Sequence, residues 1–135
     1  MALIVWSDKL SVGIRSIDAQ HGILVDTVNE LHDAMLKGQA KSVTEPLLRN
    51  LVACTRDLFS TEEALMDQAN YPELAQHRAK HRDLTKKVES YIERFARGDI
   101  TLSVHLLNFL RDWLTNHFQR EDRAYSLCMN ASGIQ

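Results

Sequence analysis

Four long stretches of this chain repeat apolar residues every three or four positions, and each repeat is broken by histidine or carboxylate where leucine or isoleucine would be expected. The interruptions are His21 in the first stretch, Glu62 in the second, His77 and His81 in the third, and His117 with Asp122 in the fourth. A seam of period close to 3.5 is buried only by packing one helix on another, so these polar groups are carried into a core. An imidazole or carboxylate there costs about several kcal/mol unless it is partnered. Six of them together point to a metal ion as the shared partner.

The seams can be followed residue by residue. The first reads Ile17, His21, Leu24, Val28, Leu31, Met35, and the second Leu47, Leu51, Cys54, Leu58, Glu62, Leu65. The third reads Leu74, His77, His81, Leu84, Val88, Tyr91, Phe95, and the fourth Leu102, Leu106, Leu110, Trp113, His117, with Ala124 and Leu127 completing it. Turn chemistry separates them at Gly38 to Ser42, at Asn70-Tyr71-Pro72 and at Gly98-Asp99. Ser42 with Glu45 reads as a capping box, with Pro46 near the end of the first turn, so that helix starts at Ser42 or shifts to Thr44. Pro72 suits the first turn of the third helix, and Gly98 suits the position just past its end.

The expected fold is all-α: an up-down-up-down antiparallel four-helix bundle, with helices over about 16–37, 43–69, 73–97 and 101–129. Residues 1–14 have no clear period and form an N-terminal arm, which Trp6, Val12 and Ile14 hold against the bundle. The 135 residues make one domain with a core of its own.

Charge and hydropathy narrow the partners. Sixteen basic against eighteen acidic residues, without runs of one sign, exclude the electrostatic footprint of a nucleic-acid or anionic-membrane binder. No segment approaches the roughly 18 apolar residues of a membrane span, and Ala2 to Val5 are not followed by the rest of a signal peptide. A cytoplasmic monomer with small partners is the simplest expectation. In a reducing compartment Cys54 and Cys128 stay free, and their spacing is not that of a zinc motif.

His77 and His81, four residues apart, project from one face and can bind a single ion through their ring nitrogens. That spacing alone is a weak signal. It gains weight because both lie on a seam and because Glu62 and His117 interrupt the seams before and after it. Asp122 is harder to place: five residues after His117, it stands about 140° round an α-helix from it. It either reaches sideways to an ion near the bundle axis or pairs in solvent with Arg120 or Arg123, and Glu121 is its rival. His32 and His105 have no partner at ligand spacing, and Tyr125 lies close enough to Asp122 in sequence to hydrogen-bond near it.

At this point the residues match a family over nearly the whole chain. Trp6 and the arm to Val12-Gly13, then Ile17-Asp18-Ala19-Gln20-His21, Phe59-Ser60-Thr61-Glu62-Glu63 with Met66, His77-Arg78-Ala79-Lys80-His81 and Trp113-Leu114-Thr115-Asn116-His117 followed by Asp122 resemble the stand-alone bacterial hemerythrins. The resemblance implies two non-haem iron ions bridged by Glu62, Asp122 and an oxo or hydroxo group. It implies His77, His81 and His117 on one iron and His21 on the other, with dioxygen or small anions binding at the second. Trp113 and Leu114 would limit access to the ligand pocket, although a Trp and a Leu on a core stripe can also be simply core.

The match breaks at Asp57-Leu58-Phe59. The family has an iron-ligating histidine immediately before the phenylalanine, and here that position is Leu58, which has no donor atom. Cys54 lies a full turn away, about 5.4 Å along the axis, and reads as a small core residue, while Asp57 and Glu63 face away from the seam and read as solvated. The expectation is therefore a complete three-histidine iron position beside a weaker one. Three functions follow from it: oxygen storage, delivery or sensing with reversible binding impaired; catalysis of peroxide, oxygen or group-transfer chemistry at the open iron; or a scaffold whose metal site has decayed.

Overall fold

A computed structural model of the chain describes residues 3–38, 41–98 and 104–135. Helix α1 (Arg15–Leu36), α2 (Lys41–Gln68), α3 (Leu74–Ala96) and α4 (Val104–Asn116) follow in order, and a π-helical segment, His117–Asp122, joins α4 to α5 (Arg123–Ala131). The last three form one continuous rod, so the molecule is an up-down-up-down antiparallel four-helix bundle, without a strand among the described residues. No helix of the described residues is long and apolar enough to cross a membrane. The expected start of the fourth helix at 101, with Leu102, lies outside the described residues, as do Asp99, the middle of the 38–42 link and the His105 side chain.

Helix ends follow local chemistry. Gly38 (φ 66°) and Gly98 (φ 80°) adopt the left-handed conformation that lets the chain leave α1 and α3, their amides bonding back to Met35 O and Phe95 O at 3.0 and 3.1 Å. Asn70 (φ 55°) does the same after α2, where Tyr71 N bonds to Met66 O at 2.9 Å. Pro72 stands just outside α3, whose N-cap is Glu73. The Ser42 capping box does not form. Because α2 already begins at Lys41, Ser42 lies inside the helix, and Glu45 pairs with Arg49 at 3.0 Å one turn on. Pro46 sits within α2 without an N–H to offer the Ser42 carbonyl, a loss of one ladder bond near the end of the helix.

The buried seam contains Ile17, Leu24, Val28 and Leu31 of α1, Leu48, Leu51, Leu58 and Met66 of α2, and Leu84, Val88, Ile92 and Phe95 of α3. Leu107, Leu110 and Leu114 of α4 and Tyr125 and Met129 of α5 complete it. Leu127, expected on the seam, is 79 % exposed, and Ala124 is exposed as well. The π-helical segment carries an extra residue in its turn, which rotates the face that follows and delivers Tyr125 and Met129 inward instead.

The arm lies against the bundle, and of its three expected anchors Val12 and Ile14 are buried while Trp6 is not. Ile4, Leu10, Val12 and Ile14 are buried, whereas Trp6 is 37 % exposed. Polar clamps decide this register. Asn29 takes both backbone groups of Ile4 at 2.8 Å, Asp18 accepts from Ser11 Oγ at 2.5 Å and Val12 N at 2.8 Å, and Arg123 donates to Lys9 O at 2.7 Å. With the backbone held at both ends, the Trp6 ring is left towards solvent.

Candidate metal centre

The antiparallel topology brings the start of α1, the end of α2, the start of α3 and the π-helical segment after α4 to one region of the bundle, and these carry His21, Glu62, His77 with His81, and His117 with Asp122. His21, Glu62 and Asp122 are fully buried, and His77, His81 and His117 are 2–3 % exposed. Donor atoms of Glu62, His77, His81, His117 and Asp122 all lie within 4.8 Å of one another. His21 reaches the same set from the other side.

Each carboxylate divides its two oxygens between two groups of imidazoles. Glu62 Oε1 is 3.0 Å from His21 Nε2, while Oε2 is 3.3 Å from His81 Nε2 and 3.6 Å from His77 Nε2. Asp122 Oδ2 is 3.2 Å from His21 Nε2, while Oδ1 is 3.0 Å from both His77 Nε2 and His117 Nε2. One side of the carboxylate pair thus faces a single imidazole and the other faces three.

The π-helical segment makes this possible. Its i→i+5 ladder brings residues five apart onto one face, where an α-helix would part them by about 140°. Asp122 accordingly points to the axis, Glu121 pairs with Lys80, and Arg123 turns to the arm.

The donor set fits a cation. Glu62 Oε2, His77 Nε2 and both Asp122 oxygens are buried, with short neighbours that are not aligned as hydrogen bonds; they converge like ligands about a centre. His81 Nε2 and His117 Nε2 face each other at 3.1 Å, an arrangement that a shared positive ion between lone pairs explains. Imidazole and carboxylate suit iron, manganese or zinc.

Without a metal, charge does the same work less well. Burial pushes His21 and His77 towards the neutral form, but the close carboxylates of Asp122 and Glu62 overcome it and carry both to about 9. For Glu62, burial and the Asp122 charge push upward, and the close imidazoles of His21, His77 and His81 bring it below its ordinary value. Burial likewise opposes ionisation of Asp122, yet the charge of His117 at short range, with His21 and His77, holds it well below the usual range. Tyr125, its ring 5.4 Å from His77 between centroids, is pushed strongly upward by burial and by both carboxylates, so the phenol keeps its proton. Its hydroxyl makes no hydrogen bond to Asp122.

Leu58 is fully buried one turn before Glu62 on the same face. Cys54 does not take its place: Sγ turns to Asn50 Oδ1 at 3.8 Å. Trp113 is half-buried and stacks on His117, ring centroids 4.5 Å apart, and buried Leu114 borders a small apolar cavity with Leu51, Leu84 and Leu110. His32 stands eleven residues beyond His21, about 16 Å further along α1.

Sequence reasoning missed a second layer. Glu63, expected in solvent, accepts from His81 Nδ1 at 3.0 Å and from Arg78 Nε at 3.0 Å. Two phenylalanines also brace the set: Phe59 stacks on His81 at 3.6 Å and Phe118 on His21 at 3.7 Å between centroids. The only advance sign was that Phe59 and Phe118 are direct neighbours of seam positions.

Comparison with known proteins agrees with this geometry. Residues 12–126 match the family described as Hemerythrin HHE cation binding domain. The chain is similar to a bacteriohemerythrin of Stenotrophomonas maltophilia, 39 % identical over 126 residues that cover 93 % of this chain and 81 % of the relative. It is 30 % identical to one of Methylococcus capsulatus over 132 residues, 97 % of this chain and all of the relative. A crystal structure of wild-type hemerythrin superposes with a TM-score of 0.91 at 29 % identity, covering 95 % of this chain and 98 % of that one. A mutant of hemerythrin gives 0.92, also at 29 % identity, over 96 % and 98 %.

Proposed function

The chain belongs to the hemerythrin HHE cation-binding family, and we propose that it is a non-haem di-iron protein of the oxygen-binding type. The observation that carries this reading is the division of Glu62 and Asp122, each with one oxygen towards His21 and the other towards the three-histidine group. With carboxylates so placed, His77, His81 and His117 would hold one ion and His21 the other, and Glu62 and Asp122 would serve both. Reduced iron, when bound, would offer electrons and an open coordination position to dioxygen, and a small anion could take that position alone.

The protein's own residues set what that position can do. Phe118 and Phe59 hold the planes of His21 and His81 by stacking, so the nitrogens stay aimed inward. In the family pattern the donor replaced by buried Leu58 belongs to the His21 side, so that ion would keep one imidazole and the shared carboxylates. The His21 position is therefore the weaker of the two. Oxygen storage, delivery or sensing is the primary role, with reversible binding impaired at the open ion.

The buried, donorless Leu58 favours one second reading, a catalyst of peroxide, oxygen or group-transfer chemistry at that position. Iron analysis and the visible spectrum of the reduced protein before and after air separate the two. Two irons per chain with a reversible oxygen-dependent charge-transfer band supports the oxygen binder. A stable ferric spectrum without that band supports the catalyst. A folded chain that takes up no iron overturns both.

A further inference from the structure

We propose that Glu63 is a positioning residue that fixes His81 as a metal-binding imidazole, an inference that rests on the di-iron reading above. Glu62 and Glu63 are adjacent in α2 and diverge by about 100°. The first enters the centre, and the second crosses to α3. There Glu63 Oε2 stands 3.0 Å from His81 Nδ1. A carboxylate can only accept at that distance, so a ring proton is on Nδ1, and in the neutral, metal-binding imidazole the lone pair is then on Nε2.

Nε2 is the atom that matters. It faces His117 Nε2 at 3.1 Å and Glu62 Oε2 at 3.3 Å, so the tautomer that Glu63 selects is the one whose lone pair enters the centre. Phe59 stacked on the ring at an interplanar angle of 1° removes the remaining freedom of tilt. Arg78 in turn holds Glu63, its Nε 3.0 Å from Oε1, so the carboxylate is clamped from both ends.

His21 has no such support among the described residues: its Nδ1 is buried without a hydrogen-bond partner there. An imidazole held by a carboxylate is oriented and made more basic, and loss of such a partner typically lowers metal affinity about 10–100-fold. Glu63 therefore strengthens the three-histidine position selectively, and it adds to the asymmetry that Leu58 introduces from the other side. It also joins the centre to solvent, since Glu63 and His81 line an open groove between α2 and α3 with Phe59, Arg82 and Lys86.

The test uses the full chain with Glu63→Ala, Glu63→Gln and, as a control for lost negative charge on the same helix, Asp57→Ala. Nitrogen NMR of the imidazoles in the metal-free protein reads the tautomer, and transfer of zinc or iron to a chelator reads the dissociation rate. The wild type should hold His81 with its proton on Nδ1, and Glu63→Ala should mix the tautomers and release metal from the tighter position about 10–100-fold faster. Glu63→Gln, which keeps an acceptor, should recover most of the loss, and Asp57→Ala should match wild type. A proton on His81 Nε2 in the wild type, or unchanged metal release from a fully loaded Glu63→Ala, overturns the proposal. If the wild type takes up no metal, the di-iron reading fails while the tautomer still judges Glu63.

Discussion

His117 and Asp122 are five residues apart, yet Nε2 of one and Oδ1 of the other stand 3.0 Å apart because the backbone between them is a π-helix. That widened turn gives the centre its second shared carboxylate and re-aims everything after it. Asp122 touches both imidazole groups, whereas His21 Nε2 meets the two carboxylates.

Removing these two residues should therefore have unequal effects. His21→Ala is expected to leave about one tightly bound metal per chain, since the three-histidine position is intact. Asp122→Ala should lower the content of both positions. Metal analysis after exhaustive dialysis decides between them, and equal losses would contradict a shared role for Asp122.

Leu58→His should have opposite effects on the loaded and the metal-free protein. With iron, a donor one turn before Glu62 should raise occupancy of the His21 position and restore reversible oxygen binding. Without iron, a polar ring in a fully buried site should destabilise the fold by about 1–3 kcal/mol. Iron content, visible spectra and denaturant unfolding read the three outcomes. If the fully metallated variant still oxidises irreversibly in air, Leu58 is not the cause.

The metal-free chain should have a stability optimum in mildly acidic solution. His21 and His77 rise from the ordinary 6.5 to about 9 when folded, so their contribution is fully present below 6.5 and is lost as pH rises through about 9. Glu62 and Asp122 are lowered, so theirs is present above the ordinary carboxylate range and is lost as pH falls through their depressed values. Denaturant midpoints across this range should fall on both sides. Bound metal replaces the protons on the imidazoles, so the alkaline loss should vanish in the loaded protein and loading should release protons. An alkaline limb unchanged by metal would sink this account.

The arm should be separable from the metal. Asp18→Ala removes the acceptor of Ser11 Oγ and Val12 N and should cost about 1–2 kcal/mol. Arg123→Ala should free the Lys9 carbonyl and speed amide exchange in residues 8–12 without changing metal content. Hydrogen exchange with metal analysis checks both, and metal loss in Arg123→Ala would show that the arm supports the centre.

Much of this was legible in the residues. The interrupted seams located His21, Glu62, His77, His81 and His117, because burial of one face is written into the spacing of apolar side chains along each helix. The turns at Gly38, Asn70 and Gly98 were equally plain, since a positive φ is a local demand. Leu127 and Trp6 were not. Each is a large apolar residue that reads as core, and each is exposed because a neighbouring element settles its orientation: the π-helical turn before Leu127, and the polar clamps on the arm around Trp6.

By itself, then, the sequence determined four amphipathic helices and the polar residues they carry inward, both of which follow from local period and side-chain chemistry, while the donor missing at Leu58 is what the resemblance to a family implies. Tertiary structure alone decided that Asp122 faces the axis, that each carboxylate divides its oxygens between two imidazole groups, and that Glu63 crosses to His81. These depend on the choice between an α-turn and a π-turn and on the approach of α3 to α2. A 3.6-residue period read along one helix carries no information about either, because both are set by what the helix packs against.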